Sequence, residues 1–129
     1  MSQDIAHVRH GIGSVRPYLH GPVGLPKFVC EVFGAVELER HEFGPQKFHV
    51  ELRGSDSVLA IEAGELPAGK PSWKGAVYVY VENVDAVYAK AVRLGATSVA
   101  EPQDKPYQER QCGFLDTAGN MWWVSTFKA

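Results

Sequence analysis

VYVYVENVDAVYAKAVRLGAT, residues 77–97, is the stretch whose reading decides the fold. Its periodicity changes part-way. Val77, Val79 and Val81 alternate with Ala76, Tyr78 and Tyr80, which gives a strand with one aliphatic and one aromatic face. From Val84 the apolar residues recur every three or four positions, at Val84, Val87, Tyr88, Ala91 and Leu94. That spacing predicts a helix over 84–96, with Gly95 closing it. Downstream, TSVAEPQ (97–103), a loop around Pro106, ERQCGFLD (109–116), the turn TAGN (117–120) and MWWVSTF (121–127) read as three strands and their connections.

The upstream half has the same order. SVRPYLHG (14–21) reads as a short strand, and LPKFVCEVFGA (25–35) carries Leu25, Phe28, Val29, Val32 and Phe33 at helical spacing. Pro26 suits its first turn and Gly34 its C-cap. AVELERHEF (35–43) is a polar, edge-type strand, and Gly44-Pro45 is a turn. KFHVELRG (47–54) puts Phe48, Val50 and Leu52 on one face and His49 and Glu51 on the other, and SDSVLAIEAG (55–64) is its hairpin partner. EVFGAVELE (31–39) matches VRLGATSVAE (92–101), each a helix closing on Gly-Ala before a strand. The repeat, at about 60 residues, argues two βαβββ modules in one compact α+β domain. The expected organisation is a flexible arm at 1–13, a first module at 14–63, a Gly/Pro-rich connection at 64–74 and a second module at 75–129.

Bulk properties exclude several functions. The chain has 129 residues and a net charge of −2, without a Lys/Arg run, so no nucleic-acid partner is expected. No apolar stretch approaches the roughly 20 residues of a membrane span, and MSQDIAHVRHG lacks an apolar signal core. Cys30 and Cys112 show no CxxC spacing and read as reduced thiols, which points to the cytoplasm.

The pieces VRPYL, FGAVELER, HVELRGSDSVLAI, VYVYVENVDAVYAKAVRLGAT and LDTAGNMWWVST together resemble the glyoxalase / bleomycin-resistance / extradiol-dioxygenase group, the vicinal oxygen chelate superfamily. The resemblance runs from about residue 14 to 128. It implies a curled mixed sheet around a cleft, and a homodimer. Members that use a metal take two ligands per module, and the matching positions here fall on Val15, Glu51, Ala76 and Trp123. Only Glu51 keeps a ligand type, so no metal site is assigned. A divalent ion remains an alternative if His49, beside Glu51, is joined by His20, His7 or His10.

By strand parity the cleft face holds His49, Glu51, Tyr78, Tyr80 and Trp123, with Met121 and Ser125 alongside. Trp73, Tyr107 and Arg110 lie where they can close over it. Trp122 belongs to the core. The expected function is binding of a small aromatic or amphipathic molecule in a metal-free cleft. Two alternatives stay open. One is a lyase, isomerase or dioxygenase using Glu51 as base and His49 as companion acid, or both as metal ligands. The other is a structural dimer whose cleft Trp123 fills, with Tyr78 and Tyr80 covering the interface.

Overall fold

Two alternating hairpins and two Gly-capped amphipathic helices set the architecture. The computed structural model describes residues 6–66, 69 and 71–128. Its elements are β1 (Tyr18–Gly21), α1 (Leu25–Phe33), β2 (Val36–Gly44), β3 (Lys47–Gly54), β4 (Ser57–Gly64), β5 (Ala76–Tyr80), α2 (Val84–Arg93), β6 (Thr97–Lys105), β7 (Glu109–Leu115) and β8 (Met121–Phe127). The repeat is exact in topology. One sheet has the order β1-β4-β3-β2 and the other β5-β8-β7-β6. In each, the first strand pairs parallel to the last and the remaining pairs are antiparallel. The fold is α+β and glyoxalase-like, with two mixed sheets that do not close on one another.

The helices end where their glycines require. Gly34 takes a left-handed φ of 71° and its N–H reaches Cys30 O at 2.8 Å. The second helix is shorter than its stripe suggests. It ends at Arg93, and the chain turns through Gly95, φ 109°, with Ala96 N bonded to Ala91 O at 2.9 Å. Its start is fixed by Asn83, whose side chain accepts from Ala86 N at 3.0 Å. The first strand also starts later than expected, at Tyr18. Pro17 has no N–H to offer a ladder, although its carbonyl accepts from Ala60 N. β6 runs past Pro102 to Lys105 with its register slipped between Ala100 and Gln103, which an edge strand tolerates.

The core sits between the helices and the aliphatic sheet faces. Leu25, Phe28, Val29 and Val32 of α1 are buried, each worth about 1.5–3 kcal/mol of apolar transfer. Phe33 stacks on Trp122 at 4.6 Å and lies 6.3 Å from Phe114, so both modules build one core.

The LDTAGNMWWV segment is the junction between modules. Asp116, buried, accepts from Ala118 N at 2.8 Å, Asn120 N at 3.0 Å, Asn120 Nδ2 at 3.1 Å and Trp122 Nε1 at 2.9 Å. Asn120, fully buried, passes this order across the interface: its Oδ1 accepts from Gly75 N at 2.8 Å, and its Nδ2 reaches His20 O. Within the expected arm, residues 1–5 lie outside the described residues. Arg9–Gly11 forms a 3-10 turn, and Arg16 gathers it by donating to Gly13 O, Ile12 O and Arg9 O.

Candidate functional site

Strand parity places polar and aromatic side chains on the sheet faces turned away from the core. On the first sheet these are Tyr18, His49, Glu51 and Glu62. His49 Nε2 meets Glu51 Oε2 at 2.7 Å and its Nδ1 meets Glu62 Oε1 at 2.6 Å. Tyr18 Oη donates to Glu62 at 2.8 Å, and Arg16 donates to the other oxygen of Glu51. An imidazole with a carboxylate against each nitrogen is best satisfied as the imidazolium, since both nitrogens then donate. Burial pushes the His49 pKa down, but the hydrogen bonds to Glu51 and Glu62 outweigh it and hold the group above its ordinary value. Burial and Glu62 together push the Tyr18 phenol up to about 12. Beside this cluster, Glu39 on β2 accepts from Arg9 and from His41, and lies 3.0 Å from His10 Nε2. The Arg9 hydrogen bond is the main reason its carboxyl falls to about 2.

The second sheet carries a different set. Tyr78, Tyr80, Trp123 and Ser125 stand on one face, because Tyr78 pairs with Trp123 and Tyr80 with Ser125 in register. Across β7, Glu109 and Gln111 join them. Both Tyr78 and Tyr80 donate to Glu109, one to each oxygen. Gln111 Nε2 donates to Tyr78 Oη and to Ser125 Oγ, each at 3.0 Å, and Tyr107 Oη reaches Gln111 Oε1 at 3.5 Å. The phenol donors hold the Glu109 carboxyl below its usual range, Tyr78 first. The hydrogen bonds to Glu109 in turn push both phenols up, Tyr80 to about 12. Ser125, Gln111 and Glu109 are buried, whereas Tyr78 and Tyr80 are 50% and 60% exposed. The tyrosine rings lie 5.6 Å apart, tilted by 56°. Met121 and Trp123 pack over Gly113, where a Cβ would come within 2.5 Å of the indole. A groove of about 490 Å³ runs along the β5 edge toward the 54–59 turn; Tyr78 and Tyr80 line it together with Val77, Val79, Phe33 and Trp122, whereas Trp123, Ser125, Gln111 and Glu109 do not.

Several residues named from the sequence fall elsewhere. Arg110 does not close over the aromatic face. One residue from Glu109, it points to the opposite side and pairs with Asp85 at 2.8 Å and Asp104 at 3.3 Å. Trp73 lies against the first sheet, donating to Tyr18 O at 2.7 Å with its ring 4.8 Å from Tyr18 and 5.5 Å from His20. His49 and Glu51 thus sit on one sheet with Trp73, and Tyr78, Tyr80, Trp123, Met121, Ser125 and Tyr107 belong to the other. Trp122 is core, its indole held by Asp116. Sequence reading missed Arg16, Glu62, Gln111 and Glu109. Parity along β4 and β7 would have found Glu62, Gln111 and Glu109, but Glu109 beside Arg110 reads as a solvated pair.

The family model that matches residues 26–124 is the Glyoxalase/Bleomycin resistance protein/Dioxygenase superfamily. The chain belongs to this superfamily. Solved structures agree in fold. TioX from Micromonospora sp. ML1 superposes with a TM-score of 0.70 at 23% identity, covering 84% of this chain and 94% of that one. A glyoxalase/bleomycin resistance protein/dioxygenase family enzyme from Burkholderia phytofirmans PsJN gives a TM-score of 0.64 at 21% identity, covering 84% and 95%. A glyoxalase I mutant from Zea mays gives 0.69 at 13%, covering 91% of this chain and 45% of that one. Among curated proteins none matches the chain in sequence.

Superfamily members often use a divalent metal, and the matching positions here do not converge on one. Val15 precedes β1 and is 91% exposed. Ala76 and Trp123 offer no ligand atom. Register adds a correction. Trp123 on β8 pairs with Tyr78, and the equivalent pairing in the first sheet is Ala60 on β4 with Tyr18, so Glu51 lies one strand further over on β3. Both Glu51 oxygens already accept, from Arg16 and His49. This residue set does not fit a divalent ion. Among the described residues no group of three or more His, Cys, Asp or Glu is arranged to hold one.

Proposed function

We propose that this superfamily member binds a small aromatic or amphipathic molecule on the Tyr78–Tyr80–Trp123 face, without metal-assisted chemistry. One observation carries the reading. Half-exposed aromatic rings surround a short, buried set of polar groups, Glu109, Gln111 and Ser125, which is how small-ligand sites combine apolar contact with orientation. The enzyme alternative is less well supported. As a general base Glu51 would have to act with each oxygen already engaged, one by Arg16 and one by His49. We also propose a homodimer. The outer strands β2 and β6 carry exposed Val36, Leu38, Phe43 and Val99, away from the ligand face, and a second copy of the chain is the simplest cover for them. The two free cysteines accord with a cytoplasmic location, and among the described residues no helix is long and apolar enough to cross a membrane.

The test is calorimetric titration of a panel of aromatic compounds, with chelator and with added Ni, Zn or Mn. Saturable binding that ignores chelator, yields no product and is lost in Trp123→Ala is the expected result. Turnover that disappears with chelator and returns with an ion would overturn the reading.

A further inference from the structure

Resting on the binding reading above, we infer that the ligand of the second sheet's face is an organic cation, a quaternary or protonated nitrogen on or beside an aromatic ring, with Glu109 as its counter-ion. The argument begins with charge. Glu109 is 8% exposed and ionised, since its neighbours are hydrogen-bond donors and its carboxyl lies below the usual range. A buried carboxylate without a countercharge is expensive. Every other buried or half-buried acid of the two cleft faces has a cation against it: Glu51 has Arg16 and His49, and Glu62 has His49. Among the described residues no ion pair to Glu109 is made, and Lys105, its register partner on β6, is not within ion-pair distance of it. Arg110, adjacent in sequence, is spent on Asp85 and Asp104, and Lys128 on Asp104.

What Glu109 has instead is two phenol O–H donors. They stabilise the charge without cancelling it, and they leave room for more. A carboxylate offers about four lone-pair directions, of which the tyrosines take two. The same tyrosines are 50% and 60% exposed. A cation beside them gains the attraction of two π-systems together with the field of the uncancelled carboxylate that their hydroxyls hold. Each phenol is thereby polarised toward the anion, and its raised affinity for its proton keeps it a donor. Neutral aromatics gain only the stacking surface. Anions meet Glu109 as a like charge, which repels them.

The experiment is a charge series on one ring. N-methylquinolinium, uncharged 4-methylquinoline and quinoline-2-carboxylate are titrated into the wild-type chain by calorimetry, at mildly alkaline pH where the second stays uncharged. The expected order is cation, then neutral, then anion, with the cation about tenfold tighter than the neutral ring. In Glu109→Gln the cation's advantage over the neutral ring collapses to within about twofold. The wild-type series decides alone if that variant does not fold. Equal affinities for all three rings, or tightest binding of the anion, would overturn the cation assignment and leave the binding cleft standing. No binding of any ring would overturn both. A dimer that weakens in Glu109→Gln, with no cation preference in the wild type, would assign the countercharge to a second copy of the chain and overturn the proposal as well.

Discussion

Replacing Asp116 by alanine tests the claim that the LDTAGNMWWV segment is a structural clamp. The carboxylate is 4% exposed and accepts from four donors: Ala118 N, Asn120 N, Asn120 Nδ2 and Trp122 Nε1. The last three belong to residues that are themselves buried, Asn120 at 0% and Trp122 at 2%. Each buried donor left without an acceptor costs about 1–3 kcal/mol. A water drawn into the vacated space restores part of this. The net loss should be about 3–5 kcal/mol, a large share of a typical domain's stability of about 5–15 kcal/mol. With a urea m-value of about 1–3 kcal/mol/M, the unfolding midpoint falls by about 2 M. Asp116→Asn keeps the oxygen that serves Ala118 and Asn120 but sets an NH2 against Trp122 Nε1, so its loss should be about half. Trp122→Phe in that background removes the clashing donor and should cost less than it does in the wild type. A loss below about 1 kcal/mol for Asp116→Ala, at unchanged m-value, would refute the clamp.

Three further outcomes are expected. Gly113→Ala puts a methyl within 2.5 Å of Trp123 and 2.9 Å of Met121 Cε, so it should cost about 1–3 kcal/mol and shift tryptophan emission; an unchanged spectrum and melting temperature would contradict the packing. The His49 pKa is raised on folding, so its contribution is complete below the ordinary imidazole range and fades as pH rises through the folded value. The stability gap between wild type and His49→Gln should therefore narrow toward alkaline pH, and a gap that widens would show the sign to be wrong. Arg16→Met removes the donor that ties residues 9–13 to Glu51, so amide exchange across that segment should speed up by about tenfold or more while β7 and β8 stay protected.

The fold was legible because its signals are local. Alternation in 47–54 and 76–81 marks strands, Gly34 and Gly95 mark helix ends, and the Gly-Ala repeat implies duplicated modules that the sheets then share strand for strand. The site was less legible because it depends on which strand stands beside which. Glu51 was chosen as a late-strand residue. It lies on the third strand of its module, across from Ala60, and not on the strand that corresponds to β8. Arg16 comes from a stretch that reads as a loop, and no local pattern signals that its guanidinium reaches a carboxylate 35 residues away. Glu109 and Arg110 form a natural ion pair on paper. In a strand they face opposite ways, which hands the arginine to α2 and the carboxylate to the tyrosines.

That divergence separates two modules that are otherwise copies. On the first sheet, two carboxylates, Glu51 and Glu62, meet Arg16 and an imidazolium, so the cluster is electrically balanced within the chain. Breaking such a partly buried balance to admit a ligand would strand a charge, a cost of several kcal/mol that a small molecule would have to overcome before gaining any contact. On the second sheet one carboxylate is met only by phenols, and the rings that hold it are already half in solvent. On the proposed reading a ligand there supplies a charge where one is missing. The proposed recognition thus falls on the uncompensated face of the duplicated fold, because its neutralised counterpart has no charge left to offer.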